Sequence, residues 1–209
     1  MTNTLSILVV DDSPIHQAAA RAQLAGYSLT VVGSYAEADK LLSKGIPYYG
    51  EEDGSDGSCK YDVVLADLLM PAPTMLGRSC CNAGGGLEMP IGIFLGLLAA
   101  RHGAKAMVFT DSNHHDHPAS LCFDVFNRPA PYENYEGDGG STDPRPFAVG
   151  KGSLVLSNCE NWVRDYAPNN LADELDWQDR RADAVRAKNW KAALAHTLGL
   201  LEEPENLIL

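Results

Sequence analysis

The chain has 209 residues and a mass of 22.5 kDa, with 16 Lys+Arg against 28 Asp+Glu, a formal charge of −12 and a pI near 4.8. That length suits one compact domain with appendages rather than two full domains, and 45% apolar with 21% charged residues argues against wholesale disorder. The acidic excess, with no basic run anywhere, speaks against a nucleic-acid binder, because phosphate contacts need clustered Lys and Arg.

No membrane association is expected. The longest mainly apolar stretch, Ile91 to Ala100, is about 15 Å long as a helix, half a bilayer. Met1 to Ser6 has no positive flank, and the apolar run that follows leads straight into Asp11 and Asp12, unlike a secretory signal. Five cysteines, Cys59, Cys80, Cys81, Cys122 and Cys159, form no Cys-x-x-Cys pair and read as free thiols in a reducing, cytoplasmic compartment.

Leu5 to Val10 (LSILVV) is a continuous, β-branched apolar run, the pattern of a strand buried on both faces of a parallel sheet. It stops at Asp11-Asp12. Ser13 and Pro14 then mark a helix start, and His16 to Ala25 reads as an Ala-rich helix ending at Gly26. Ser28 to Val32 is a second strand, and Ser34 caps a second helix closing near Gly45. Residues 46–60 read as a polar insertion, after which Tyr61 to Ala66 (YDVVLA) forms a third buried strand ending at Asp67.

A second insertion covers residues 72–86, and Leu87 to His102 reads as an apolar helix. Lys105 to Phe109 is the fourth strand, closing at Thr110-Asp111. A polar loop, a short helix near Ala119 to Phe126 and a third insertion from about 128 to 146 follow. Phe147 to Leu156 supplies the last strand, and the remainder reads as helical, with Ala187, Trp190, Leu194, Leu198 and Leu201 on an apolar stripe. Strands alternating with helices imply an open doubly wound α/β sheet with its ligand at the carboxyl ends of the strands.

Those ends carry Asp11 and Asp12, Asp67, and Thr110 with Asp111. Converging carboxylates raise one another's pKa unless a cation neutralises them, and hard oxygen donors with room for water suit Mg²⁺.

At these residues the chain resembles the receiver domain of two-component response regulators. Leu5 to Pro14 (LSILVVDDSP) is similar to the family's first strand with its acidic pair. Asp62 to Pro71 (DVVLADLLMP) is similar to the strand and loop with the phospho-accepting aspartate, Gly86-Leu87-Glu88 to the opening of the next helix, and Met107 to Thr110 to the strand with the switch hydroxyl. The likeness covers residues 5–45, 61–71 and 86–112.

The resemblance implies a flavodoxin-like, five-stranded parallel sheet of order 2-1-3-4-5. The domain would span 1–166, with a helical extension over 167–209 in place of a DNA-binding output domain. It implies that Asp67 accepts a phosphoryl group from a histidine kinase or phosphotransfer protein, and that a downstream protein partner reads the change. Asp12 and Asp67 would ligate Mg²⁺ directly, Asp11 through water, the Leu69 carbonyl would complete the shell, and Thr110 would bond the phosphoryl oxygen.

Two departures stand out. The only candidate for the family's phosphoryl-pairing lysine is Lys151, followed by Gly152 where proline is usual, with Ala148 at the aromatic switch position and Phe147 one place off. Asp111 stands where a small residue usually follows the hydroxyl.

His114, His115, Asp116 and His117 lie in the loop after the fourth strand, at the same expected edge. They read as an exposed polar loop, as lining of the phosphoryl site, or as ligands for Zn²⁺ or Mn²⁺. The last would make the chain a metal-dependent hydrolase. A degenerate receiver acting as a phosphorylation-independent scaffold is a third possibility.

Overall fold

The structure is a computed structural model that describes residues 4–43, 57–71, 88–111, 118–127, 144–157, 163–165 and 186–200. Its centre is a mostly parallel six-stranded sheet of β1 (Ser6–Val10), β2 (Ser28–Val32), β3 (Val63–Asp67), β6 (Lys105–Phe109), β7 (Phe147–Val149) and β8 (Gly152–Ser157), in the order β2-β1-β3-β6-β8-β7. Five strands run parallel, and β7 is antiparallel at the edge. Two short ribbons lie outside it: β4 (Met70–Pro71) with β5 (Glu88–Met89), and β9 (Val163–Asp165) with β10 (Arg186–Lys188).

Successive strand side chains point to opposite faces, and both faces are covered. Leu8, Val10, Val64, Ala66, Ala106, Val108 and Leu154 join one core with α2 (Tyr35–Leu42), α3 (Gly92–Arg101) and α4 (Pro118–Asn127). Ile7, Val9, Val63, Leu65, Met107, Phe109 and Val155 join the other with α1 (Pro14–Gln23) and α5 (Trp190–Leu198). The continuous apolar runs of the sequence follow from this double cover. No described helix is long and apolar enough to cross a membrane.

Three expectations are corrected. Phe147 to Leu156 is a hairpin, not one strand: Val149 pairs with Gly152 across a two-residue turn, and Gly150, at φ 58°, takes the left-handed conformation that such a turn needs. This adds the sixth strand. The helix expected from Leu87 begins only at Gly92, because Glu88 and Met89 pair with Pro71 and Met70. The chain beyond residue 166 is not purely helical, since Arg186–Lys188 is a strand and α5 follows it, capped by Asn189 Oδ1 accepting from Ala192 N–H.

Candidate cation and anion site

Register brings the acidic residues together. Val10 pairs with Ala66, so Asp11 stands level with Asp67, and Asp67 pairs with Phe109, which Thr110 follows directly. The loop after β3 is pinned: Leu68 N–H donates to the Phe109 carbonyl at 3.1 Å, and the Leu68 carbonyl accepts from Gly92 N–H at 3.1 Å. A Cβ at Gly92 would fall on the Asp67 carbonyl oxygen, so α3 can begin against this loop only with glycine there. Leu69 lies buried within the same loop.

Asp11, Asp12 and Asp67 each offer a carboxylate oxygen, all within 4.8 Å of one another. Asp11 is fully buried, Asp67 is 6% exposed and Asp12 is half-buried. Asp11 Oδ1 accepts from Ser13 N–H at 2.9 Å, which turns the chain into α1.

A residue that sequence reasoning missed completes the group. Lys188, at the end of β10, is fully buried, with Nζ 2.7 Å from Asp11 Oδ2 and 2.7 Å from Asp67 Oδ1. Its ammonium also lies 5.4 Å from the Phe109 ring centroid and 5.8 Å from that of Trp190, within cation–π range. Burial pulls the ammonium pKa down, but Asp67, Asp11 and Asp111 more than offset it, so Lys188 is held above its usual range and stays charged. The one sequence signal was its place just before a capping Asn and the buried Trp190, a strand end feeding a helix as Asp12 does.

Burial pushes the Asp67 carboxyl up to about 7, with Lys188 opposing and Asp11 adding to the rise. Asp12 is raised too, by burial and then by Asp11. Three carboxylates and one ammonium leave a formal −3 + 1 = −2, a charge that a divalent cation balances. Mg²⁺ holds oxygens at about 2.1 Å, so opposed ligands stand about 4.2 Å apart. Oxygens within 4.8 Å of one another need little adjustment to reach that span, and the donor set fits a hard cation.

The structure does not bring Lys151 to this group. Lys151 precedes β8 in the hairpin turn, at the amino edge of the sheet, where Ser153 pairs with Lys105; Asp67 lies at the carboxyl edge, level with Phe109 and Ser157. Four strand steps of about 3.3 Å separate the two edges. The lysine found at this group among the described residues is Lys188, from the β9–β10 ribbon. Thr110 is buried at the end of β6.

Asp111 turns to His16, whose Nε2 is 2.9 Å from Asp111 Oδ2. That hydrogen bond is the main reason the Asp111 carboxyl falls to about 2. His16 is buried at 5% exposure. His114, His115, Asp116 and His117 lie outside the described residues.

Compared with known proteins, the chain matches no family model, no curated protein and no solved structure.

Proposed function

We propose that the chain is a flavodoxin-like, receiver-type signalling protein whose Asp67 accepts a phosphoryl group with Mg²⁺ present, switching a surface read by a protein partner in the cytoplasm. The observation that carries this reading is the Lys188 ammonium, buried between Asp11 and Asp67, at a cluster of three carboxylates that end two parallel strands. A mostly parallel α/β sheet with the carboxylates at the ends of its strands supports the reading.

Asp67 supplies the nucleophilic oxygen. Its Oδ1 is paired with Lys188, which leaves Oδ2 to attack phosphorus in line. The new O–P bond forms as the donor's P–N bond breaks, and the imidazole nitrogen departs with that electron pair. A bound Mg²⁺, held by Asp12 and Asp67, with Asp11 through water and the Leu69 carbonyl, would screen the charge of the incoming oxygens. Lys188 would keep a fixed positive charge beside the acyl phosphate, and Thr110, one residue beyond the register partner of Asp67, would donate its hydroxyl. As the Asp67 carboxylate becomes an acyl phosphate, its ion pair with Lys188 would be exchanged for one between Lys188 and the phosphoryl oxygens, giving the two states the different contacts that a switch requires.

The test is incubation with acetyl phosphate and Mg²⁺, read by intact-protein mass. The wild type is expected to gain one phosphoryl group and Asp67→Asn none; equal labelling of both excludes Asp67 as the acceptor.

A further inference from the structure

Asp111 poses a problem for any anion at this pocket. It directly follows Thr110, and its negative charge is felt at both Asp67 and Lys188. A carboxylate turned inward there would repel a phosphoryl group and compete with it for the ammonium. His16 holds the Asp111 side chain, which is 41% exposed, by the 2.9 Å bond from Nε2 to Oδ2.

His16 is itself fixed at two further points, one on the ring and one on its backbone. Its Nδ1 accepts from the Lys188 backbone N–H at 3.4 Å, so Nε2 carries the proton given to Asp111. The His16 carbonyl accepts from the Trp190 indole N–H at 2.9 Å, and Trp190 packs edge-on against Phe109, the residue before Thr110. His16 thus joins Asp111 and the lysine strand through its imidazole and the start of α5 through its backbone carbonyl.

We infer that His16 is a positioning residue that holds the Asp111 carboxylate away from the Lys188 ammonium, so that Asp111 does not compete with a phosphoryl group on Asp67 for that charge. This inference rests on the reading of Asp67 as phosphoryl acceptor. His16 touches neither Asp11 nor Asp67 in the hydrogen bonds it makes; it acts through Asp111 and the Lys188 backbone.

The experiment is a two-residue cycle. His16→Leu fills the space without a donor, His16→Gln keeps a donor, and Asp111→Asn removes the charge at a half-exposed site with little risk to folding. With acetyl phosphate and Mg²⁺, His16→Leu is expected to label at least about fivefold more slowly than wild type. His16→Gln should recover most of that loss, and His16→Leu with Asp111→Asn should return to the rate of Asp111→Asn alone. Asp111→Asn by itself should change the rate less than about twofold, because the carboxylate is already sequestered. Equal slowness of His16→Leu and the double variant would show that His16 only packs, and marked acceleration by Asp111→Asn would show that Asp111 already faces the pocket; either overturns the inference.

Equilibrium dialysis with Mn²⁺ separates this outcome from failure of the acceptor reading. Released Asp111 should tighten Mn²⁺ binding about three- to tenfold in His16→Leu, and the double variant should lose that gain. Wild type that takes no label but shows this Mn²⁺ cycle defeats the acceptor role and supports the placement of Asp111. Mn²⁺ affinity unchanged in His16→Leu overturns the placement.

Discussion

Replacing Lys188 by Met would leave Asp11 and Asp67 facing each other, buried, with their shared counter-ion gone. Breaking a buried pair by removing one partner costs about 3–5 kcal/mol, because the charge left behind has lost its solvation. Lys188→Met is therefore expected to denature at clearly lower urea concentration in EDTA, and added Mg²⁺ should restore more stability to it than to wild type. A variant equally stable in EDTA would mean that the ammonium contributes little. The sign with pH follows from the raised lysine pKa: the contribution is complete below the ordinary lysine range and is lost only as pH rises through the folded value. At neutral pH the full effect is measurable.

Among the elements, β10 and α5 connect the far end of the chain to the site. Trp190 is fully buried, meets Phe109 edge-on at 5.1 Å between ring centroids, and follows Lys188 by two residues. Trp190→Ala is expected to cost about 3–5 kcal/mol by urea denaturation, the usual range for deleting a buried aromatic. Trp190→Phe should retain most of the packing and lose mainly the hydrogen bond to His16, about 1 kcal/mol. Equal loss in both variants would put the weight on that hydrogen bond. The parallel strands were legible in the sequence because burial on both faces writes an unbroken apolar run, as in Ile7 to Val10 and Val63 to Ala66. The acidic pair and Asp67 were legible because they end those runs. Lys188 was not: it sits in a three-residue strand, its partner Asp11 is 177 residues away, and the Asn-Trp that follows marks a helix start without announcing a carboxylate partner. Lys151 drew attention because the hairpin turn that removes it from the site hid inside one apparent strand.

Across the whole molecule, a formal charge of −12 makes the compact state work against its own repulsion, and the pocket concentrates that tension. The Asp67 carboxyl titrates near 7 in the folded chain and near 3.8 by its ordinary value, so the metal-free protein binds more protons folded than unfolded between those limits. Its stability should accordingly fall as pH rises through that window, and the fall should be absent in Asp67→Asn. Mg²⁺ competes with the same proton, so its apparent affinity should climb as pH rises from 5.5 towards 8 and level off above about 7. A pH-independent affinity would mean that the ion binds away from Asp67. The most direct measurement is equilibrium dialysis of the purified protein against Mg²⁺ at pH 8. Wild type should hold one ion per chain, and Asp12→Asn with Asp67→Asn should hold none. Retention of the ion by that double variant, or its absence from wild type, would contradict a cation pocket built by these carboxylates.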